Sequence, residues 1–330
     1  MSRIISILIA FTFLACNSEE KQFVFQGEAQ GTTYTVKYSA NEEQTQLNSR
    51  IESLLETVDL SMSTYRSDSK ISALNNGEEI VMDEMFEAVY NRSVEIYDLT
   101  SGAFDPTIGP LISGWGFNVE KPINMDSTIV DSLLANCGFS HFTKNGRNLK
   151  LSNTRASINF NAIAQGYSVD LMADVLKEAG LVNYYVELGG ELIVKGKNQE
   201  GKFWQIGIDK PLGENLERSL SHIIPLNNKA MATSGNYRKY YEKDGEKYSH
   251  TLNPKTGFPV EHTLLSATVI ADNCIDSDAF GTSFMVLGLN KSKEILAQNK
   301  SLDAILIYSD GDSLKSYYTP RIADSIIELK

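Results

Sequence analysis

Tyr184-Tyr185-Val186-Glu187-Leu188-Gly189-Gly190-Glu191-Leu192-Ile193-Val194-Lys195 decides the fold class of this 330-residue chain. Two runs rich in β-formers flank a pair of glycines. Such a pair marks a tight antiparallel hairpin, because the favoured two-residue turns need positive φ at their central positions. Outward from this hairpin, residues 163–179 carry apolar side chains at helical spacing and stop at Gly180. Downstream, residues 203–208 read as a strand, and residues 237–252 as a hairpin turning at Asp244-Gly245. Residues 264–271 read as another strand, 276–287 as a helix closed by Gly288, and 291–298 as a short helix. Residues 304–308 read as a strand ahead of a turn at Asp310-Gly311. In the first half, residues 23–38 form one or two strands broken near Gly31. Leu47, Ile51, Leu54, Leu55 and Val58 fall at helical spacing, as do Phe86, Val89, Tyr90, Val94 and Tyr97 behind the N-cap Asp83. A further helix spans residues 126–137 and is stopped by Gly138. Strands and helices mix without a regular βαβ alternation, which predicts an α+β fold: mixed, largely antiparallel sheets with packed helices. One domain is expected over residues 23–330, with room for two lobes.

Hydrophobic residues make up 42% of the chain and charged residues 22%, the balance of an ordinary globule. The formal net charge of −12 argues against nucleic-acid binding, which needs a basic surface. An anionic ligand on so acidic a protein calls for a local basic site or a divalent cation between the negative partners. The start of the chain differs from the rest. Met1-Ser2-Arg3 carries one positive charge, residues 4–15 are apolar except for Ser6 and Thr12, and Cys16 follows with the polar run Asn17-Ser18-Glu19-Glu20-Lys21. A charged start and a short apolar stretch predict a signal peptide over residues 1–15. Phe13-Leu14-Ala15-Cys16 resembles the lipobox of bacterial lipoproteins, with Phe13 where Leu is usual and Leu14 where a small residue is usual. Cys16 is then the lipidation site and residues 16–22 a linker. The remaining cysteines, Cys137 and Cys274, have no motif spacing and read as apolar thiols.

Four segments are candidates for chemistry. Asp278 and Thr282 lie four apart on an expected helix, so a carboxylate and a hydroxyl share one face, and hard oxygens of this kind suit magnesium. Pairs at this spacing also commonly decorate a solvated face. Residues 159–167 form a loop entering a helix, where free backbone N–H groups attract phosphate; the pattern is neither a Walker A loop nor GxGxxG. Residues 101–117 combine Gly102, Gly109, Gly114 and Gly116 with Phe104, Trp115 and Phe117, suited equally to a flat pocket or a tightly turned core loop. Ser61-Met62-Ser63-Thr64-Tyr65-Arg66 is the fourth. His250, in Tyr248-Ser249-His250-Thr251-Leu252-Asn253-Pro254, is a candidate general base, whereas His141, His222 and His262 read as structural.

In order and spacing these segments resemble the FAD:protein FMN transferase family, also called the ApbE or thiamine-biosynthesis lipoprotein family. The shared pattern covers nearly the whole chain beyond residue 22. It includes Gly31-Thr32-Thr33-Tyr34, Met62-Ser63-Thr64-Tyr65, Gly102-Ala103-Phe104-Asp105, Ala162-Ile163-Ala164-Gln165-Gly166-Tyr167 and Leu188-Gly189-Gly190. It continues through Ala232-Thr233-Ser234-Gly235-Asn236-Tyr237, His250-Thr251-Leu252-Asn253-Pro254 and the Asp278/Thr282 pair. The resemblance implies Mg2+ held by the Asp278 carboxylate, the Thr282 hydroxyl and the Ala162 carbonyl. It implies FAD, as substrate, contacting Gln30, Tyr65, Ala103, Phe104, Asp105, Asn159, Gln165, His250, Thr251 and Leu252. The implied reaction is attack of an acceptor threonine on the FMN-side phosphorus with loss of AMP, in which His250 assists removal of the threonine proton and Asp278 is required through the metal. The implied acceptors are membrane-bound redox subunits, and the implied location is the bacterial membrane, lipid-anchored and facing the periplasm. Two positions depart from the family pattern: Asn159-Phe160-Asn161 stands where Asp-Leu-Gly is usual, and Gln165 where Lys or Glu is common. Hydrolysis of FAD to FMN and AMP, or flavin binding without turnover, would use the same residues. A periplasmic solute-binding protein would instead show two regularly alternating α/β lobes.

Overall fold

The computed structural model describes residues 20–117, 125–211, 219–236, 240–243, 246–249 and 251–329. The expected signal peptide, Cys16, the turn at Asp244-Gly245 and His250 lie outside the described residues. The described chain begins with β1 (Lys21–Ala29), β2 (Thr32–Ala40), α1 (Leu47–Met62), α2 (Lys70–Asn75), β3 (Ile80–Val81) and α3 (Glu84–Leu99). Next come α4 (Gly109–Gly114), α5 (Ser127–Leu134), β4 (Phe142–Asn145), β5 (Asn148–Leu151) and α6 (Ala164–Glu178). A run of strands follows: β6 (Tyr184–Leu188), β7 (Glu191–Lys195), β8 (Trp204–Asp209), β9 (Leu220–Leu226), β10 (Lys229–Gly235), β11 (Tyr240–Lys243), β12 (Glu246–Ser249) and β13 (Leu264–Ala271). The last elements are α7 (Cys274–Gln298), β14 (Asp303–Asp310), β15 (Ser313–Tyr318) and β16 (Ile327–Glu328).

The centre of the fold is an eight-stranded sheet in the order β1-β2-β6-β7-β10-β13-β14-β15. Every neighbouring pair in it is antiparallel. The opening hairpin is β6–β7, with Leu188 opposite Glu191 and positive φ at both Gly189 (67°) and Gly190 (116°). Alternation along the strands sorts the core. Ala304 and Leu306 of β14 and Val269 of β13 face the cluster that contains Phe280 and Phe284 of α7. Ile305 and Ile307 of β14, Ile270 of β13 and Leu192 and Val194 of β7 face the opposite side, against Trp204, Ile206 and Ile224 of the β8–β9 sheet. Helices α1 and α6 cover β1, β2 and β6 with Ile51, Leu55, Val169, Met172 and Leu176. This is the expected α+β architecture with antiparallel sheets.

Local signals placed most elements. Asp83 caps α3 by accepting from Phe86 N–H, and Asp126 caps α5 by accepting from Ile129 N–H. Gly180, at φ 78°, ends α6. Helix α7 begins at Cys274 and breaks at Gly288, whose φ of 71° lies outside the helical region. Helix α5 stops at Leu134 rather than Cys137, because Asn136 and Cys137 donate only three residues back, to Leu133 and Leu134, in a tightened turn. Cys137 and Cys274 are both free thiols, and burial pushes the Cys137 thiol up to about 12.

Candidate active site

A cavity of about 720 Å³ opens where α6, α7, β7, β10 and the loops after α1 and α3 converge. Its polar wall is set by the approach of two helices. Gly166, in the first turn of α6, faces α7 so closely that a Cβ there would stand 2.4 Å from the Cys274 carbonyl oxygen and 2.7 Å from the Asp278 Cβ. The Gly166 N–H therefore reaches across the gap and donates to Asp278 Oδ2 at 3.0 Å. A continuing helix would direct that N–H to the Ala162 carbonyl four residues back. The start of α7 is anchored to α6 as well: Asp170 accepts from the N–H groups of Cys274 and Ile275 at 2.7 and 2.9 Å. Thr282 lies one turn beyond Asp278, and its hydroxyl is 3.5 Å from Ser234 Oγ on β10.

The loop entering α6 is shaped by its own side chains. Asn159 N–H donates to the Pro106 carbonyl at 2.8 Å, and Asn159 Oδ1 accepts from Asn161 N–H at 2.8 Å. At an Asx turn of this kind the amide oxygen serves the backbone, so the departure from Asp is accommodated without the charge. The apolar part of the lining comes from Phe104, Ile108, Ile112 and Phe117, with Met285 on the same face of α7 as Asp278 and Thr282. At the mouth, the Tyr65 ring is 70% exposed and its hydroxyl accepts from Asn161 Nδ2 at 3.3 Å. A cavity with a flat apolar side and a carboxylate-bearing polar side suits a planar ring joined to a phosphate chain.

Two of the carboxyls lining the cavity are raised far above their ordinary values, as is Asp170 behind them (to about 7, by burial). Burial raises Asp278 to about 7 against the lowering effect of the Gly166 bond, and the Asp170 charge raises it further. Burial and the Asp278 charge raise Glu191 to about 8. Glu191 Oε2 is shielded from solvent and accepts no hydrogen bond. Asp105 is raised by burial too, opposed by its bonds from the Thr107 N–H and hydroxyl. No Lys, Arg or His stands among the described residues lining the cavity. The available donors (the Asp278 carboxylate, the Thr282 hydroxyl, the main chain at Ala162 and the Glu191 carboxylate) are all hard oxygens, and they fit a divalent cation such as magnesium better than zinc. Among the described residues, no group of three or more His, Cys, Asp and Glu side chains gathers at a metal-binding spacing, so such a cation would keep positions for water or phosphate.

The cavity gathers Tyr65, Ala103, Phe104, Asp105, Asn159, Ala162, Gln165, Thr251, Leu252, Asp278 and Thr282. It leaves out Gln30, which occupies the β1–β2 turn at φ 52° and spends its side-chain amide on Ser168 Oγ of α6 at 2.8 Å. Trp115 is also absent from the lining: its indole N–H donates to the Gly257 carbonyl and its ring packs edge-on against Phe258. Four polar lining residues escaped the sequence reading as site residues, namely Asn161, Glu191, Thr233 and Ser234. Each lies in or beside a quoted motif: Asn161 in Asn159-Phe160-Asn161, Glu191 directly after Gly189-Gly190, and the other two inside Ala232-Thr233-Ser234-Gly235.

The ApbE family model matches residues 30–306. The chain is 36% identical over 326 residues to the FAD:protein FMN transferase of Haemophilus influenzae, covering 94% of this chain and 93% of that protein. This chain belongs to the ApbE family. The Escherichia coli K12 protein of the same name is 30% identical over 348 residues, covering 100% of this chain and 98% of its own length. A solved ApbE flavin transferase from Vibrio cholerae superposes with a TM-score of 0.83 at 32% identity, covering 93% of this chain and 99% of that one. The apo flavinyl transferase ApbE of Pseudomonas stutzeri gives the same TM-score and identity, covering 93% and 97%. The ApbE pattern thus runs through all the elements that wall the cavity.

Proposed function

We propose that this chain transfers FMN from FAD to a threonine hydroxyl of an acceptor protein, releasing AMP, with Mg2+ as cofactor. The observation that carries the reading is one cavity that joins aromatic and apolar side chains to the buried Asp278 and the half-buried Thr282, in a chain similar over nearly its whole length to proteins named FAD:protein FMN transferase. The flavin ring would lie along Phe104 and Phe117, with Tyr65 at the open edge. Asn159 and Gln165 would meet the polar part of the ligand, alongside Thr251, whose hydroxyl donates to Asn236 Oδ1 at 2.9 Å and is held in place by it.

Asp278, Thr282 and the Ala162 carbonyl would hold the magnesium. When bound, the metal neutralises the diphosphate and aligns it for in-line attack. The rest falls to the protein. The Gly166 N–H orients Asp278, Ser234 stands beside the Thr282 hydroxyl, and His250 takes the proton of the attacking threonine. The acceptors are membrane-bound redox subunits, consistent with an anchor at Cys16 that keeps the enzyme at the periplasmic face of the membrane. Replacing Cys16 with Ser should move the protein from the membrane to the soluble fraction; retention in the membrane would remove the anchor from the reading.

The deciding experiment is mass spectrometry of an acceptor protein incubated with the full-length chain, FAD and Mg2+, beside an Asp278→Ala control. Addition of one FMN to a threonine, lost in the control, is the expected result. Release of free FMN and AMP beside an unmodified but competent acceptor would replace transfer with hydrolysis, and intact FAD would reduce the protein to a flavin binder.

A further inference from the structure

Flavin transfer as proposed leaves one shielded carboxylate oxygen, Glu191 Oε2, without a partner. Glu191 opens β7 directly after the Gly189-Gly190 turn. The neighbouring carboxylate of that hairpin, Glu187, is engaged by the turn itself, since Gly190 N–H donates to Glu187 Oε1 at 2.8 Å. Glu191 instead lines the cavity on the same wall as Asp278, Thr282 and Gln165. A Cβ on Gly189 would stand 3.3 Å from both Glu191 Oε2 and Gln165 Nε2, so the glycine leaves these two side chains the room they occupy beside the turn.

A shielded carboxylate oxygen with no donor is costly, and a second carboxylate nearby makes it more so. Buried polar atoms are nearly always satisfied, so an orphan on a residue that lines a ligand cavity points to a partner that arrives with the ligand. Two classes of partner would satisfy Glu191: a ligand N–H or O–H, or a cation with its water shell. The first leaves the two carboxylates repelling each other with no basic side chain among the described lining residues to compensate. The second answers both the orphaned oxygen and the like charges together. The flavin diphosphate adds further negative charge, which also favours the cation.

We infer that Glu191 is a second acidic residue of the cation site, binding the metal's water shell together with Asp278 and raising the site's affinity for Mg2+. Resting on the magnesium-dependent reading above, the inference adds a residue that sets how tightly the metal is held. Glu191 is on this basis a positioning residue and does not touch the reacting atoms.

The test is a Mg2+ titration by calorimetry on the full-length wild-type chain, Glu191→Gln and Asp278→Ala, without FAD and again with FAD saturating. Thermal unfolding in EDTA is measured alongside. Loss of an outer carboxylate typically weakens a metal about 10- to 100-fold, so Glu191→Gln should raise the Mg2+ dissociation constant at least about tenfold. It should also leave the EDTA unfolding midpoint unchanged or higher, because a shielded carboxyl with no hydrogen-bond partner beside a second carboxyl has been removed. A dissociation constant within about twofold of wild type, or a midpoint that falls in EDTA, overturns the inference and makes Glu191 a structural carboxylate. The Asp278→Ala arm separates the two readings. If that variant also binds Mg2+ normally, the cation site itself is misplaced; if only Glu191→Gln is silent, the flavin-transfer reading stands and this inference fails.

Discussion

Replacing Gly166 with Ala tests the geometry on which the site depends. The new methyl would sit 2.4 Å from the Cys274 carbonyl oxygen, 2.8 Å from its carbonyl carbon and 2.7 Å from the Asp278 Cβ. The deficit from ordinary contact is roughly 1 Å, and two of the three opposing atoms are backbone, so no rotamer change relieves it. Overpacking of this kind costs about 1–3 kcal/mol. Alanine would return up to about 1 kcal/mol of helix propensity, but less here because Gly166 lies in the first turn. The steric term wins, and α6 must move from α7 by a distance comparable to the deficit. That movement lengthens the 3.0 Å bond from Gly166 N–H to Asp278 Oδ2 and displaces the Ala162 carbonyl from the Asp278 carboxylate. A misplacement of about 1 Å can cost on the order of 100-fold in rate. The expected outcome is a fall in thermal midpoint of about 2–4 °C per kcal/mol lost, together with an FMN-transfer rate down about 100-fold at saturating Mg2+. Gly166→Ser should be worse on both measures. A Gly166→Ala protein with wild-type midpoint and wild-type transfer would refute the close α6–α7 crossing and the positioning role built on it.

Two further outcomes follow from the same site. Asp278 and Glu191 have folded-state values of about 7 and about 8, above their unfolded values of 3.8 and 4.5. For groups raised in this way, the protonated forms favour the folded state: their stabilisation is complete below about pH 4 and is lost as pH rises through those folded values. In EDTA, chemical denaturation should therefore show stability declining between about pH 4 and pH 8, a decline that excess Mg2+ suppresses; a flat profile in EDTA would count against two neighbouring carboxyls shielded from solvent. Asp170→Ala should cost about 1–3 kcal/mol, because it strips the Cys274 and Ile275 N–H groups of their acceptor at the start of α7. Equilibrium unfolding measures it, and a change below about 0.5 kcal/mol would mean that water or Asn273 takes over the cap.

What was legible in the sequence is what is local. Asp83, Asp126, Gly180 and Gly288 mark helix ends through their own backbone chemistry, and Gly189-Gly190 requires no distant partner to turn the chain. The Asn145-Gly146 pair between β4 and β5 belongs to the same class of signal, with Gly146 at φ 58°, and marks a hairpin that hydrophobic periodicity alone misses in strands this short. Strand β10 is different. Lys229-Ala230-Met231-Ala232-Thr233-Ser234-Gly235 holds a single β-branched residue, yet it pairs on both sides, with β7 and β13. Its small residues are a tertiary requirement, because α7 lies directly over them: a Cβ on Gly281 would stand 3.0 Å from Ser234 Oγ. The strand state of β10 therefore comes from its neighbours, against its own propensity.

The same distinction separates the site residues that were read from those that were not. Asp278 and Thr282 declare themselves because one helical turn puts both oxygens on one face, a relation contained within five residues of sequence. Glu191 declares nothing locally, since a glutamate after a Gly-Gly turn has the signature of an ordinary polar hairpin edge. It becomes a shielded, unpartnered carboxyl only because α7, carrying Asp278, packs against β7 and β10, and because Gly166 lets α6 close over the same space. The cost of shielding that carboxyl is set by distances between three separate elements, so no pattern along the chain encodes it. A helix crossing tight enough to need glycine brings the acidic groups together, and on the reading proposed above a divalent cation would relieve both the orphaned oxygen and the repulsion.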